Sequence, residues 1–326
     1  MGRDFFVPIV FAMYLDAAFR PVMRVFRRAQ LPNPVSAALI VVGAGLALYI
    51  VCAVLSVPVR TWIAQAPQSL SIAEKKLTSL RRPVDQVTDA ATKIEHATRG
   101  PSTMTTQPVA TAAEPPGLAT RFFESVTKLV EQLVEVLLLL YLLLASGEIF
   151  QQKMISVLPL LREKKTVVQI VNDVESSIVR YVGLTAAINL VQGTAVAGIM
   201  WALGVPAPLL WGALTFGLEF IPYLGATIMM ILLGVTAFAT FDHIGHILAV
   251  PGSYLVITTI QNNLVSPVAY GKHLRLNPVV IFIGVLFWWF IWGIGGAFLA
   301  VPIVATMKIV CDRIEYFATI GEFLGE

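Results

Sequence analysis

One carboxylate interrupts an otherwise apolar run. The stretch GLEFIPYLGATIMMILLG (217–234) sets Glu219 among residues suited to hydrocarbon, with Pro222, Tyr223 and Gly225 close behind it. Proline removes a backbone N–H and displaces a carbonyl, and glycine loosens the turn that follows. In a bilayer each backbone group left without a partner costs several kcal/mol unless protein, water or solute meets it. An ionisable side chain at that depth costs about 2.5–3.5 kcal/mol on insertion scales and ordinarily faces a polar path. Two readings follow. Glu219 and the backbone freed beside Pro222 form a polar site, or Glu219 sits at the membrane surface or in a structural tie with a lysine or arginine.

Two further stretches combine polar or small residues with a helix breaker. In TTIQNNLVSPVAYGKHLRLNP (258–278), the neutral amides Gln261, Asn262 and Asn263 precede Ser266 and Pro267. Amides hold hydroxyl-bearing solutes and cations alike. The plainer use is hydrogen bonding between helices, worth under about 1 kcal/mol per pair. In FIWGIGGAFLAVP (290–302), Gly293, Gly295 and Gly296 permit a tight reversal or a close helix contact, with Pro302 as a further break or packing residue. The tryptophans of FWWFIW (287–292) fit an interfacial belt or lipid contact better than ligand stacking.

Catalytic templates are absent. The chain has no GxSxG, Walker loop, HExxH or CxxC. His243 and His246 form an i, i+3 pair in DHIGHI, and no further metal ligand lies near them in sequence. Cys52 and Cys311 lie in or beside apolar segments and read as small membrane-buried side chains. No enzyme, metal site or cofactor is expected.

Positioning such residues needs a membrane-embedded scaffold. Of 326 residues 57% are hydrophobic and only 13% charged, and mean hydropathy is +0.78. A soluble domain of this size could not hide so much apolar surface, so the expected fold is an all-α, polytopic membrane helix bundle. The formal net charge of +3 is scattered, which argues against nucleic acid as a partner. Apolar segments fall at 36–58, 130–149, 181–204, 207–238, 244–262 and 277–308, after a short first helix from Phe5 to about Phe19. The arginines of RPVMRVFRR (20–28) follow that first run rather than precede it, so it is no cleavable signal. The segments at 207–238 and 277–308 are too long for one perpendicular span. Each is a re-entrant hairpin or a single broken span. GKHLR (271–275) is cytoplasmic in the first case and external in the second, and Lys272 and Arg275 favour the hairpins.

Short basic connections set the orientation. Arg20, Arg24, Arg27 and Arg28, then Lys153, Arg162, Lys164 and Lys165, then Lys308 and Arg313 place two connections and the C-terminus on the cytoplasmic side. The expected organisation is N-terminal membrane helices (1–60), external amphipathic helices and linker (61–128), a membrane helix (129–150), a cytoplasmic amphipathic segment (151–180), a C-terminal membrane core (181–310) and a cytoplasmic tail (311–326). Outside, Leu70, Ala73, Leu77, Leu80, Val84, Val87, Ala91 and Ile94 form a heptad seam that Pro83 kinks or splits. A linker rich in Pro, Thr and Ala follows (99–117), and Phe122, Val126, Leu129, Leu133 and Val136 then run into the next membrane segment. This external helical hairpin closes within one chain or between subunits. Val167, Ile170, Val171, Val174 and Ile178 mark an amphipathic helix at the membrane surface.

The motifs GLEFIPYLG (217–225), IQNNLVSPVAYGKHLRLNPVVIFIGVLFW (260–288) and GIGGAFLAVPIVATMK (293–308), preceded by LGVPAPLLWGALTFG (203–217), resemble the AI-2E family of bacterial transporters, also called the autoinducer-2 exporter or PerM-type permease family. RPVMRVFRR and the LP at 158–159 fit that family's early helices and post-helix turn. The resemblance implies a multi-pass, oligomeric protein of the bacterial inner membrane that moves small polar solutes. Some members are associated with autoinducer-2 export, others with Na+/H+ antiport. Relatives ordinarily begin with one more membrane helix, so the resemblance implies either a truncation or a bundle of seven apolar segments. Its expected partners are a small polar solute or cation, the lipid bilayer and further copies of the chain. On the export reading, Glu219, Pro222, Tyr223 and Gly225 line one wall of a pathway and Gln261, Asn262, Asn263 and Pro267 line the facing wall. On the antiport reading, Glu219 binds proton and cation alternately, helped by freed carbonyls near Pro222. A third reading is a non-transporting scaffold organised by the external seam.

Overall fold

A computed structural model of the chain describes residues 2–62, 118–147, 161–270 and 276–325. The external seam over 70–94, the linker over 99–117 and GKHLR lie outside the described residues. Helices α1 (Gly2–Arg28), α2 (Asn33–Trp62), α3 (Leu118–Ser146), α4 (Leu161–Ala202), α5 (Pro208–Leu218), α6 (Leu224–Thr240), α7 (Ile244–Tyr270), α8 (Pro278–Trp292), α9 (Ile294–Arg313) and α10 (Ala318–Leu324) make up the fold. Among the described residues there is no strand, only an isolated bridge between Leu276 and Gly325. Among the described residues five helices are long and apolar enough to cross a membrane: α1 from Phe5, α2, α4 from Val167, α7 and α9. The fold is an all-α polytopic membrane bundle.

Two elements differ from the sequence expectation. The first helix is not short: α1 runs for 27 residues, through Pro8 and Pro21, and carries Arg27 and Arg28 in its last turn, where cations complement the helix dipole. The amphipathic stretch Val167–Ile178 is not a separate surface helix. It is the first part of α4, a continuous helix of 42 residues and about 63 Å. Neither Pro nor Gly occurs from Leu161 to Val182, so continuing the helix keeps each N–H paired as the chain enters the apolar region.

Both broken segments double back as hairpins. In α8–α9 a Cβ on Gly296 would lie 2.1 Å from the Trp288 carbonyl oxygen, and one on Gly284 2.9 Å from Val304 Cγ2. Contacts whose sequence midpoints coincide near 292–294 define an antiparallel pair. Gly293, at φ 64° and ψ −141°, makes the reversal in a region that an L side chain rarely adopts. In α5–α6 a Cβ on Gly225 would lie 2.0 Å from the Leu218 carbonyl oxygen, so only glycine lets the two arms meet.

The hairpins enter from opposite ends. Arg27 Nε donates to Asn33 Oδ1 at 3.0 Å, which puts the start of α2 at the arginine-rich end of α1. At the other end of α2, Trp62 meets Trp211 edge to face and its Nε1 donates to Thr236 Oγ1 at 3.3 Å, marking the base of α5–α6. The base of α8–α9 lies at the arginine-rich end, where Arg313 forms an ion pair with Asp173 of α4. The first tip packs on the second hairpin: Ile221 shares a cluster with Val285, Ala297 and Ala300, and Phe220 stacks on Phe298 at 5.0 Å.

Candidate functional site

Helix α5 runs back along α4 because both helices are small where they cross. A Cβ on Gly212 would lie 2.5 Å from the Gly193 carbonyl oxygen and 2.8 Å from the Ala197 Cβ. Close backbone approach through small residues is how helices associate without a hydrophobic drive. It sets the register that delivers Glu219, the C-terminal capping residue of α5, to the side of α4.

Glu219 there meets neutral donors. Tyr254 Oη donates to its Oε1 at 2.6 Å, and Gln192 Nε2 donates to the same oxygen at 3.2 Å. Gln192 Nε2 also reaches Thr258 Oγ1 at 3.3 Å. Asn189 Nδ2, one turn earlier on α4, donates to the Phe216 carbonyl at 3.2 Å. Gln192, Asn189, Tyr254 and Thr258 are buried, while Glu219 is half-buried. Among the described residues no lysine or arginine forms an ion pair with Glu219. The structural tie to a cation, one reading of the sequence, is thus not found among the described residues. Gln192 Oε1 is buried beside this carboxylate without a hydrogen-bond partner among the described residues, an arrangement that costs about 1–3 kcal/mol until a donor arrives.

The backbone at the hairpin tip departs from expectation. The amides of Glu219, Phe220 and Ile221 donate to the carbonyls of Thr215, Gly217 and Leu218 at 3.1, 3.4 and 2.9 Å. Carbonyls near Pro222, expected to be free, are paired as well: that of Pro222 accepts from Leu224 N at 2.7 Å and that of Ile221 from Gly225 N at 2.9 Å. Short turns thus re-pair the groups that the proline displaces, and the polar character of the site comes from side chains. The i to i+2 bond encloses Tyr223 at φ 65° and ψ −48°, a γ-turn geometry that is rare and strained for a tyrosine. Tyr223 is exposed and meets Phe282 edge to face at 5.6 Å.

The amide trio lies on an unbroken stretch of α7, beyond the residues of that helix that meet Glu219 and Gln192. Gln261–Val265 form a π-helical turn inside α7, and Ser266 N donates to the Gln261 carbonyl. The extra residue absorbs Pro267, so the helix continues through Ser266–Tyr270 instead of breaking. Asn262 and Asn263 are exposed, and Asn263 Nδ2 donates to the Thr259 carbonyl at 2.9 Å. Gln261 follows Tyr254 and Thr258 at i+7 and i+3; its Nε2 reaches Ser266 Oγ at 3.5 Å and its Oε1 is buried without a partner. Among the described residues no hydrogen bond joins the trio to Glu219. Pro222, Tyr223 and Gly225 do share the tip with Glu219.

The glycines of α8–α9 serve packing. Gly293 makes the reversal, Gly296 admits the Trp288 backbone, and a Cβ on Gly295 would lie 2.9 Å from Val7 Cγ1 of α1. Helix α9 continues through Pro302, whose carbonyl accepts from Thr306 Oγ1 at 2.8 Å.

Residues missed by motif reading lie on α4. Glu175, Thr185, Asn189 and Gln192 are buried polar residues along it, spanning about 25 Å of helix. The signal was present as the three-to-four-residue spacing of Thr185, Asn189 and Gln192 in an apolar segment. Thr185 Oγ1 lies 2.8 Å from Tyr270 Oη, and Tyr270 stacks on Tyr181. Near the other end, Arg20 pairs with Asp16 at 2.8 Å and with Glu175 at 3.2 Å, and Arg24 pairs with Glu175. Among the described residues no group of three or more His, Cys, Asp or Glu could hold a metal ion.

A family model described as AI-2E family transporter matches residues 2–315. A provisionally named transport protein of Borreliella burgdorferi is 26% identical over 214 residues, covering 63% of this chain and 57% of that protein. The AI-2 transport protein TqsA of Escherichia coli K12 is 28% identical over 150 residues, covering 46% of this chain and 43% of TqsA. Those two matches thus span about half the length of each relative. A provisionally named transport protein of Haemophilus influenzae is 20% identical over 334 residues, covering 100% of this chain and 91% of that protein.

Proposed function

The chain belongs to the AI-2E transporter family, and from that premise we propose that it moves a small, neutral, hydroxyl-rich solute past Glu219. Its setting is the bacterial inner membrane, with the arginine-rich end and the C-terminus cytoplasmic, and it works as a homo-oligomer, as the family resemblance implies. One observation carries the reading: Glu219, at the tip of a re-entrant hairpin, is held by neutral donors from two other helices. A solute hydroxyl can replace Tyr254 or Gln192 as donor to Glu219 without separating an ion pair. Gln192 Oε1, buried without a donor, can accept a second hydroxyl. The strained turn at Tyr223 is where the tip would rock. Solutes of the autoinducer-2 type fit this chemistry, and the name of the TqsA relative supports that class.

Na+/H+ antiport is the second reading, and the same unpartnered Gln192 oxygen favours it, since with Glu219 and Thr258 it would offer oxygen ligands to a cation. Reconstituted vesicles separate the two. Glu219→Gln keeps an acceptor oxygen but cannot ionise. On the solute reading it retains flux of a labelled sugar-like solute within about threefold, the scale of one weakened neutral hydrogen bond. On the antiport reading it abolishes proton-coupled cation flux. Glu219→Leu removes the acceptor and stops transport on either reading; parental flux in that variant refutes both.

A further inference from the structure

Helices α1 and α4 line an open groove of about 660 Å³ at the arginine-rich end of α1, on the part of α4 that precedes Gln192. The volume lies within the range of small-ligand pockets, about 300–1,000 Å³. Arg24, Arg180, Asn172, Glu175, Gly183 and Leu184 contribute to its wall. Glu175 is the acid in that wall, and both of its carboxylate oxygens are engaged, one by Arg20 and one by Arg24. Arg180 is exposed and forms no ion pair among the described residues. The Arg24 side chain remains 65% exposed despite its pairing. The wall therefore offers one guanidinium without an ion pair among the described residues, Arg180, and the exposed remainder of Arg24, while its one carboxylate is already satisfied.

We propose that this groove binds a phosphate-bearing anion. A guanidinium fork matches phosphate oxygens in geometry and charge. A basic pocket between membrane-spanning helices at a positively flanked end is the setting in which anionic headgroups bind. Leu184 offers an apolar edge for a lipid acyl chain, and Gly183 keeps the wall open, since a Cβ there would meet nothing within 4 Å. The phosphate comes either from an anionic phospholipid or from a soluble phosphate monoester. The site stands apart from Glu219, so it holds or fails independently of the transport reading.

The test uses the full chain, purified in detergent, with phosphatidylglycerol, phosphatidylcholine and glycerol 3-phosphate as probes, and binding read by native mass spectrometry. Phosphatidylglycerol should bind saturably and above phosphatidylcholine if the source is lipid. Glycerol 3-phosphate should bind saturably if the source is soluble. Arg180→Gln should weaken the bound probe at least about tenfold, the loss of one charge-assisted contact. Gly183→Leu should weaken it comparably by filling the space while leaving every charge in place. Probe-free melting temperatures near the parent's establish that both variants fold. Parental affinity in both variants, or a parent that prefers neither anionic probe over phosphatidylcholine, overturns the proposal.

Discussion

Two carboxylates face the same long helix region and are treated in opposite ways. Glu175, on α4, is gripped by Arg20 and Arg24 of α1, with Asp16 completing the cluster. Glu219, brought to α4 by the α5–α6 tip, is held by a tyrosine and an amide. A carboxylate fixed between arginines is a tie between helices, because releasing it strands charge in a poorly solvated place. A carboxylate held by neutral donors can trade a partner for a solute. The difference separates a structural contact from a binding site better than burial does, since both groups lie inside the bundle.

Breaking the tie should have the largest effect. Arg20→Ala leaves Asp16 and Glu175 facing each other with only Arg24 nearby, and should cost about 3 kcal/mol, seen as a lowered melting temperature in detergent. Next comes the contact that sets the Glu219 register. Gly212→Leu would push against the Gly193 carbonyl oxygen, 2.5 Å from the new Cβ, and should destabilise by about 1–3 kcal/mol while also slowing transport. Tyr254→Phe removes one donor from Glu219 and should cost about 1.5 kcal/mol or less, while changing the apparent solute affinity. A variant with altered stability and unchanged affinity would make Glu219 another tie. The smallest effect belongs to Tyr223→Gly. Relief of the positive φ, worth about 1–3 kcal/mol, offsets loss of the Phe282 contact, worth about 0.5–1.5 kcal/mol. Stability should stay within about 2 kcal/mol of the parent.

The breaks in the helices were readable because proline and glycine act locally. EFIPYLG and WGIGG mark the two reversals, and the α8–α9 turn sits at Gly293, inside the second of them. The direction of each hairpin was not readable, since it depends on contacts such as Trp62 with Trp211, 149 residues apart in sequence. The helix-breaking role assigned to Pro267 failed because a π turn inserts one residue and absorbs the ring, an adjustment with no compositional mark. The same phase of α7 turns Asn262 and Asn263 outward while Tyr254 and Thr258 meet Gln192 and Glu219. A tyrosine and threonine in SYLVITT read as ordinary helix residues until Glu219 is placed beside them. Gln192 was overlooked because it carries no breaker, although its spacing from Thr185 and Asn189 was in plain view.

The most direct test compares the two carboxylates in one experiment. Flux of a labelled hydroxyl-rich solute is measured in vesicles containing equal amounts of folded parent, Glu219→Leu or Glu175→Gln protein. Flux should vanish in Glu219→Leu and persist in Glu175→Gln at near the parental rate per folded molecule. Parental flux in Glu219→Leu, or its loss in Glu175→Gln alone, would place the passage elsewhere and contradict the role assigned to the hairpin tip.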